Sequence, residues 1–311
     1  TLSTWPLVVH LGNKESLAAG RRYLAYTLGG SASFLLGIVW LESLTGPIEF
    51  TLAGQVADLD PHTLQAIFVL LIAGLGVKAA IVPLHGWLPA AMVAPAPVSA
   101  LLHAVAVVKA GAFGIIRIIY DVYGPPLVFD LGLGIPLAII ASFTILYASV
   151  RALQQTDIKR RLAFSTVSQV SYIALGAALF GPFATIGGLV HIVHQGLMKI
   201  TLFFCAGALS KQLHIHSIDE LDGAGRRMPW TMTAFSIGGL GIVIFHEGSS
   251  DWTFYTHFDS YGAYGEGARV SAGSTIGYVG NTGTTVYHLH FEYHPGGGGP
   301  VNPYPLAREA C

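Results

Sequence analysis

The chain has 311 residues, of which 52% are hydrophobic and 11% charged, with a mean hydropathy of +0.59. A soluble domain carries about 25% charged residues, so the deficit points to a membrane protein. The net charge of −1 gives no reason to expect a nucleic-acid partner, and two cysteines, Cys205 in an apolar run and Cys311 at the end, cannot frame a disulfide scaffold.

The opening residues, TLSTWPLVVH, contain no Met, no basic start and no cleavage site, so no signal peptide is expected. They read as the continuation of a longer sequence. A membrane span needs about 20 apolar residues. Candidates follow at 23–44, 62–83, 97–120, 127–150, 162–180, 183–210 and 229–245. Residues 246–311 hold no long apolar run; they are rich in Gly, Tyr, Thr and His with short alternating stretches. The expected fold is mostly α: a polytopic membrane helix bundle of about seven spans with broken helices, then a small all-β C-terminal segment. The boundary is placed near residue 240, giving domains 1–240 and 241–311.

Charge orients the bundle. Lys14, Arg21, Arg22, Arg151, Lys159, Arg160, Arg161, Lys211, Arg226 and Arg227 all fall on one side of a seven-span arrangement. The opposite loops hold no Lys or Arg, but do hold Glu49, Asp58, Asp60 and Asp121. The excess of Lys and Arg marks the cytoplasmic side. A seventh span then places residues 246–311 outside the cytoplasm.

Lys78, Lys109 and Lys199 lie inside predicted spans, as do His103, His191 and His194. Each lysine at a helix centre costs about 2.5–3.5 kcal/mol on the insertion scale, so the set is expected to face protein or water. Amines and imidazoles bridged by water can pass protons. Pro83 and Pro89 interrupt the segment after Lys78, and Pro95 and Pro97 open the next. Proline removes a backbone donor, and such breaks at membrane depth usually line a cavity.

The run GLGVKAAIVPLHGWLPAAMVAPAPVSALLHAVAVVKAGAFGIIRIIYDVYG (74–124) resembles the proton-translocating antiporter-like subunits of respiratory complex I and the multisubunit sodium/proton antiporters, most nearly the D-type antiporter subunit. The resemblance continues through QQTDIKRRLAFSTVSQVSYIALG, HIVHQGLMKITLFFCAGAL and SIDELDGAGRRMPWTMTAFSIGGL, and covers about residues 1–240. It implies a multi-pass protein of the bacterial inner membrane with other membrane subunits as partners and protons or sodium ions as cargo. It implies no cofactor in the membrane part. It makes Lys78 the central switching lysine on a broken helix, with His103 and Lys109 continuing the polar axis and His191, His194 and Lys199 on a long helix beyond. It also implies a glutamate ahead of LSTWPLVV and a further broken helix beyond GGL, so the transport unit is expected to be truncated at both ends.

The tail carries a second pattern. In TTVYHLHFEYHPGGGGPVNPYP, alternation puts His288, His290 and Glu292 on one face of a strand, an arrangement suited to a metal or to proton transfer. Residues 242–305 resemble the second half of the lysostaphin-type zinc endopeptidases, which cut peptidoglycan cross-bridges. By that resemblance His290 is a zinc ligand, and His257 and His288 are catalytic, orienting the attacking water or stabilising the oxyanion. The family's other two ligands are a His and an Asp four residues later, and no H-x-x-x-D occurs in this chain. Zinc in the tail is therefore expected to be weak or absent. Three functions compete: a membrane proton or sodium/proton translocation subunit; a membrane-anchored zinc metallopeptidase with peptidoglycan as substrate; and a chimera of two gene fragments in which neither half works.

Overall fold

The computed structural model describes residues 3–48, 56 and 58–240, then the backbone of five short strands between Ile242 and His294. Residues 1–224 and 225–311 form two compact units.

In the first unit, capping residues set the helix starts. Asn13 accepts from the Ser16 amide at 2.8 Å and opens α1, Lys14–Thr45. Asp60 accepts from the Thr63 amide at 2.9 Å, with Pro61 behind it, and opens α2, Pro61–Ala79. Asp157 accepts from the Arg160 amide at 2.7 Å and opens α5, Ile158–Ala178. Each carboxylate or amide oxygen satisfies a donor that the first helical turn leaves over. Between them lie α3, spanning Ala96–Tyr123, and α4, Gly134–Leu153; α6, Pro182–Leu213, follows α5.

Five of these helices, α1, α2, α3, α4 and α6, are long and apolar enough to cross a membrane. The predicted span at 162–180 is helical, but Lys159, Arg160, Arg161 and a series of Ser, Thr and Gln make α5 more polar. It is also deeply buried, with Ser168, Ser171 and Thr166 inside together with Val167, Val170 and Ile173. It packs between α4 and α6, so its polar atoms meet protein. Ser149 and Ser168 hydroxyls lie 3.0 Å apart across the α4–α5 contact.

Glycines bring the helices close. A Cβ on Gly74 would sit 2.5 Å from the Gly30 carbonyl, and one on Gly176 would sit 3.2 Å from the Gly188 Cα. Small residues at such crossings are how membrane helices gain packing energy.

The two ends of the bundle differ in charge. Lys159 Nζ reaches the Met92 and Ala94 carbonyls, Tyr23 packs edge-on to Trp87, and the Ile158 amide donates to the His216 carbonyl. One end therefore gathers the start of α1, the 80–95 segment, the α4–α5 turn and the end of α6. At the other end Gln65 Nε2 donates to the Leu131 carbonyl and Tyr120 meets the Thr185 hydroxyl at 2.6 Å.

The second unit contains α7, Pro229–Leu240, and strands β1 Ile242–Phe245, β2 Trp252–Thr256, β3 Phe258–Tyr261, β4 Gly277–Val279 and β5 His290–His294. The order β1-β2-β5 makes an antiparallel sheet, and β3 pairs antiparallel with β4. The predicted seventh span, 229–245, is thus a twelve-residue helix followed by a strand. Twelve residues rise about 18 Å.

Candidate functional site

The site begins where α2 stops. Ala80 adopts a left-handed conformation (φ 57°, ψ 39°) and ends the helix two residues after Lys78. Lys78 therefore stands, half-buried, in the last helical turn, where unsatisfied carbonyls favour a cation. Pro83, Pro89 and Pro95 punctuate the segment that follows, which forms only a short α-turn at Trp87–Ala90 and a 3-10 turn at Ala91–Val93 before α3 begins at Ala96 with Pro97 in its first turn.

Backbone groups freed at this depth need partners, and side chains supply them. The Trp87 indole donates to the Val77 carbonyl at 2.7 Å. The Val82 amide donates to Thr144 Oγ1 at 3.1 Å. Lys159 Nζ donates to the carbonyls of Met92 and Ala94 at 3.1 and 2.9 Å. Trp87 is fully buried and wedged against Tyr23, with ring centroids 5.3 Å apart.

The next helix is irregular too. In α3 the segment Leu101–Val105 is a π-helix, closed by the Ala106 amide donating to the Leu101 carbonyl at 2.9 Å. Such segments are frequent at functional sites. This one carries His103, which is fully buried, 4.8 Å ring to ring from Phe203 on α6. Beyond it, Lys109 is buried, and Gly111 lies directly against the Lys78–Ala79 backbone.

On α6 the inward face repeats every four residues. His191, Gln195 and Lys199 are all buried, followed by Leu202, Phe203 and Ala206. Lys199 Nζ donates to Ser165 Oγ at 2.5 Å, and that hydroxyl donates to the Leu162 carbonyl at 2.9 Å. Lys199 is in electrostatic reach of both Lys109 and His103. A Cβ on Gly196 would lie 3.3 Å from the Ala104 carbonyl and 3.8 Å from Lys109 Cε, so α6 presses on α3 at this level.

The structure thus brings His103, Lys109 and Lys199 together, joins them to Lys78 through Gly111, and places His191 two turns from Lys199. His194 lies on the exposed side of α6, its ring 6.4 Å from that of His191. Two residues join the group that motif reading passed over: Ser165, the acceptor for Lys199, and Gln195. Gln195 was signalled by its spacing of four from both His191 and Lys199. No Asp or Glu occurs at 16–41, 62–79, 97–120, 135–150, 158–178 or 183–213; the carboxylates of α1 and α3, Glu15, Glu42 and Asp121, lie near the helix ends, Asp121 paired with Arg117 at 2.9 Å.

In the tail, His290 opens β5 and pairs with Thr256, and Glu292 pairs with Phe254. His257 and His288 lie outside the described residues. Among the described residues no group of three or more His, Cys, Asp and Glu is arranged to hold a metal ion.

Comparison with known proteins matches this arrangement. The model of the NADH:quinone oxidoreductase/Mrp antiporter transmembrane family fits residues 1–244, and that of peptidase family M23 fits residues 231–303. The chain is 36% identical over 251 residues to NADH-quinone oxidoreductase subunit N of Desulforudis audaxviator, covering 78% of this chain and 48% of that protein. It is 36% identical over 257 residues to hydrogenase-4 component B of Escherichia coli, covering 78% and 37%. The chain therefore spans half or less of the length of these relatives. Two solved structures share the fold. One is the membrane-bound sulfane sulfur reductase, an archaeal respiratory membrane complex, with TM-score 0.67 and 30% identity over 76% of this chain and 49% of that one. The other is the Mrp complex from Dietzia sp., with TM-score 0.65 and 30% identity over 72% and 41%.

Proposed function

Because the chain belongs to the NADH:quinone oxidoreductase/Mrp antiporter transmembrane family, we propose that its helical unit is part of a proton or sodium/proton pathway within a larger assembly. The carrying observation is the row of amines and imidazoles inside the bundle, Lys78, Lys109, Lys199, His103 and His191, with no carboxylate at 62–79, 97–120 or 183–213. His194, on the exposed side, serves as an entry or exit group or meets a neighbouring subunit. Relatives in multisubunit respiratory and Mrp complexes support other membrane subunits as partners. Each lysine gains or releases a proton as its surroundings change, and the break beyond Lys78 gives that lysine two helix ends to move between.

Lys78→Ala in the native assembly abolishes coupled flux in membrane vesicles while leaving assembly intact. Lys78→Arg fails to restore it, because arginine does not release its proton. Wild-type flux in Lys78→Ala sinks the reading.

We further propose that the basic end faces the cytoplasm of a bacterial inner membrane. Lys14, Arg21, Arg22, Arg151, Lys159, Arg160, Arg161 and Lys211 gather there, as the excess of cations on cytoplasmic loops requires. An outward side for residues 246–311 needs a seventh crossing, and the twelve residues of α7 supply about 18 Å of the roughly 30 Å hydrocarbon core. With that crossing, a cysteine at Ser250 reacts with an impermeant reagent in intact cells while one at Lys159 is protected. Protection at Ser250 removes the crossing and returns the tail to the basic side.

For the tail we propose an incomplete peptidase half without catalytic zinc. The support is the missing H-x-x-x-D: a catalytic zinc needs three protein ligands, and the resemblance leaves one, His290. His257 and His288 would face the substrate. The rival reading is a membrane-anchored zinc metallopeptidase acting on cell-wall peptides. The purified chain, dialysed after zinc loading, retains well under one zinc and leaves peptidoglycan intact. One zinc per chain, with cleavage lost in His290→Ala, establishes the rival.

A further inference from the structure

A groove opens sideways between α1 and α2. Its volume is about 410 Å³, and its walls are Ala25, Gly29 and Ser33 of α1, Ala73 and Val77 of α2, and Leu84 just past the break, with Tyr26 beside them. That volume lies within the roughly 300–1,000 Å³ of small-ligand sites. The two helices meet tightly next to it: a Cβ on Gly30 would lie 2.8 Å from the Val77 Cβ, and one on Gly74 would lie 2.6 Å from the Phe34 Cβ. At Gly29 nothing lies within 4 Å of the Cβ position, so the groove is open there. The Ser33 hydroxyl donates to the Leu70 carbonyl at 2.9 Å, which leaves the walls apolar.

The rim is charged. Arg21 and Arg22 stand one turn before Ala25 and Tyr26 on the same stripe of α1. Both are exposed. Helical side chains lean toward the helix N-terminus, and long basic side chains run along apolar surface to reach water. The two guanidinium groups therefore crown the groove at the basic end of the bundle. No Asp or Glu lies between Glu15 and Glu42 on α1, and neither arginine forms an ion pair among the described residues.

An apolar slot beneath two unpaired cations has the polarity of a lipid with a negative headgroup. A protein helix fits it less well. With side chains a helix is about 10–12 Å across, so it would cover the slot rather than enter it. It would also have to bring a carboxylate to the level of the arginines.

We propose that this groove binds an anionic phospholipid, with one acyl chain between α1 and α2 and the phosphate held by Arg21 and Arg22. Arginine suits that task because its planar donors meet two phosphate oxygens at once. Basic pockets between spans are where such headgroups collect. The chain lies against Val77 and Leu84, which flank the break at Ala80, so the lipid packs on the break from outside the bundle. The site stands independently of the transport reading.

The test uses the chain in its native assembly, reconstituted in phosphatidylcholine vesicles. Trace phosphatidylglycerol or phosphatidylcholine is added, each with the same photoreactive group in its acyl chain, and labelled peptides are read by mass spectrometry. The expected result is preferential labelling of residues 23–33 and 70–84 by the phosphatidylglycerol probe. Each arginine near an anionic headgroup contributes about a factor of five in affinity, so Arg21→Gln with Arg22→Gln lowers that labelling by roughly twenty-fold. Arg160→Gln removes a cation from α5 and leaves it unchanged. Gly29→Leu fills the open groove without meeting a neighbour and abolishes labelling with both arginines in place. If the double variant does not assemble, Arg22→Gln alone and Gly29→Leu are judged by the same readout. Equal labelling by the two probes overturns the proposal, as does wild-type labelling in Gly29→Leu. A benzophenone side chain at Ala25 that captures another polypeptide instead of lipid overturns it in favour of a protein occupant.

Discussion

Between Ala80 and Ala94 the backbone leaves its helix at membrane depth, and protein groups meet it: Trp87 at the Val77 carbonyl, Thr144 at the Val82 amide, Lys159 at Met92 and Ala94. Along α6 the helix is regular, yet Gln195 on it and His103 facing it find no such partners among the described residues. The first region spends side chains to fix a backbone that would otherwise be unsatisfied. The second leaves side chains unsatisfied on a backbone that needs no help. Fully satisfied networks rigidify, whereas partly satisfied ones keep room for solvent. The backbone of the break is thus fixed by side-chain partners drawn from α4, α5 and its own segment.

Gly111 connects the two regions, so the largest effect from a residue outside the polar row is expected there. A Cβ at this position collides with the Ala79 amide nitrogen and lies 2.8 Å from the Lys78 carbonyl carbon, backbone atoms that cannot swing aside. Gly111→Ala must push α2 and α3 apart, at a cost of about 1–3 kcal/mol for an overpacked contact. Coupled flux should fall more than ten-fold with Lys78 itself untouched, together with a lower thermal midpoint of the assembly. Gly114→Ala, which meets the flexible Leu75 side chain, is the comparison and should be milder. Equal behaviour of the two variants would mean that the break and the row work independently.

Much of this was legible in the sequence, for reasons that also mark where legibility stops. The apolar runs at 23–44 and 183–210 lie within α1 and α6, because hydrocarbon length sets span length. The four prolines announced the break. The residue that ends α2 could not be read: Ala80 in a left-handed conformation has none of glycine's steric freedom and owes its geometry to the packing around it. The π-helix at LLHAV contains neither Pro nor Gly and left no trace in the pattern. Ser165 is 34 residues from Lys199, a pairing only tertiary structure creates. Gln195 was readable from a spacing of four, but an amide attracts less notice than the neighbouring His194. One residue is about 100° of helix rotation, enough to put His194 outside and Gln195 in. The run at 229–245 is predominantly apolar, yet its β-branched end, IVIF, is a strand, as Val and Ile on a pleated surface favour.

The smallest effect is expected at Lys159. Its ammonium donates to two carbonyls at the far end of the break, and its stem is half-buried at the start of α5. Lys159→Met keeps the stem and removes the charge. A charged hydrogen bond contributes about 1.5–3 kcal/mol where no substitute exists. At the basic end of the bundle water can reach the Met92 and Ala94 carbonyls, so the loss should be nearer 1 kcal/mol. That corresponds to a drop of about 2–4 °C in the thermal midpoint for a domain of this size. Arg160→Met, one residue on and exposed, removes the same charge from the same turn without those bonds. If the break is fixed by named side-chain contacts, Lys159→Met lowers the midpoint and Arg160→Met does not. If the two are equivalent, the carbonyls are held equally well by water, and the break is no more rigidly satisfied than the row it was set against.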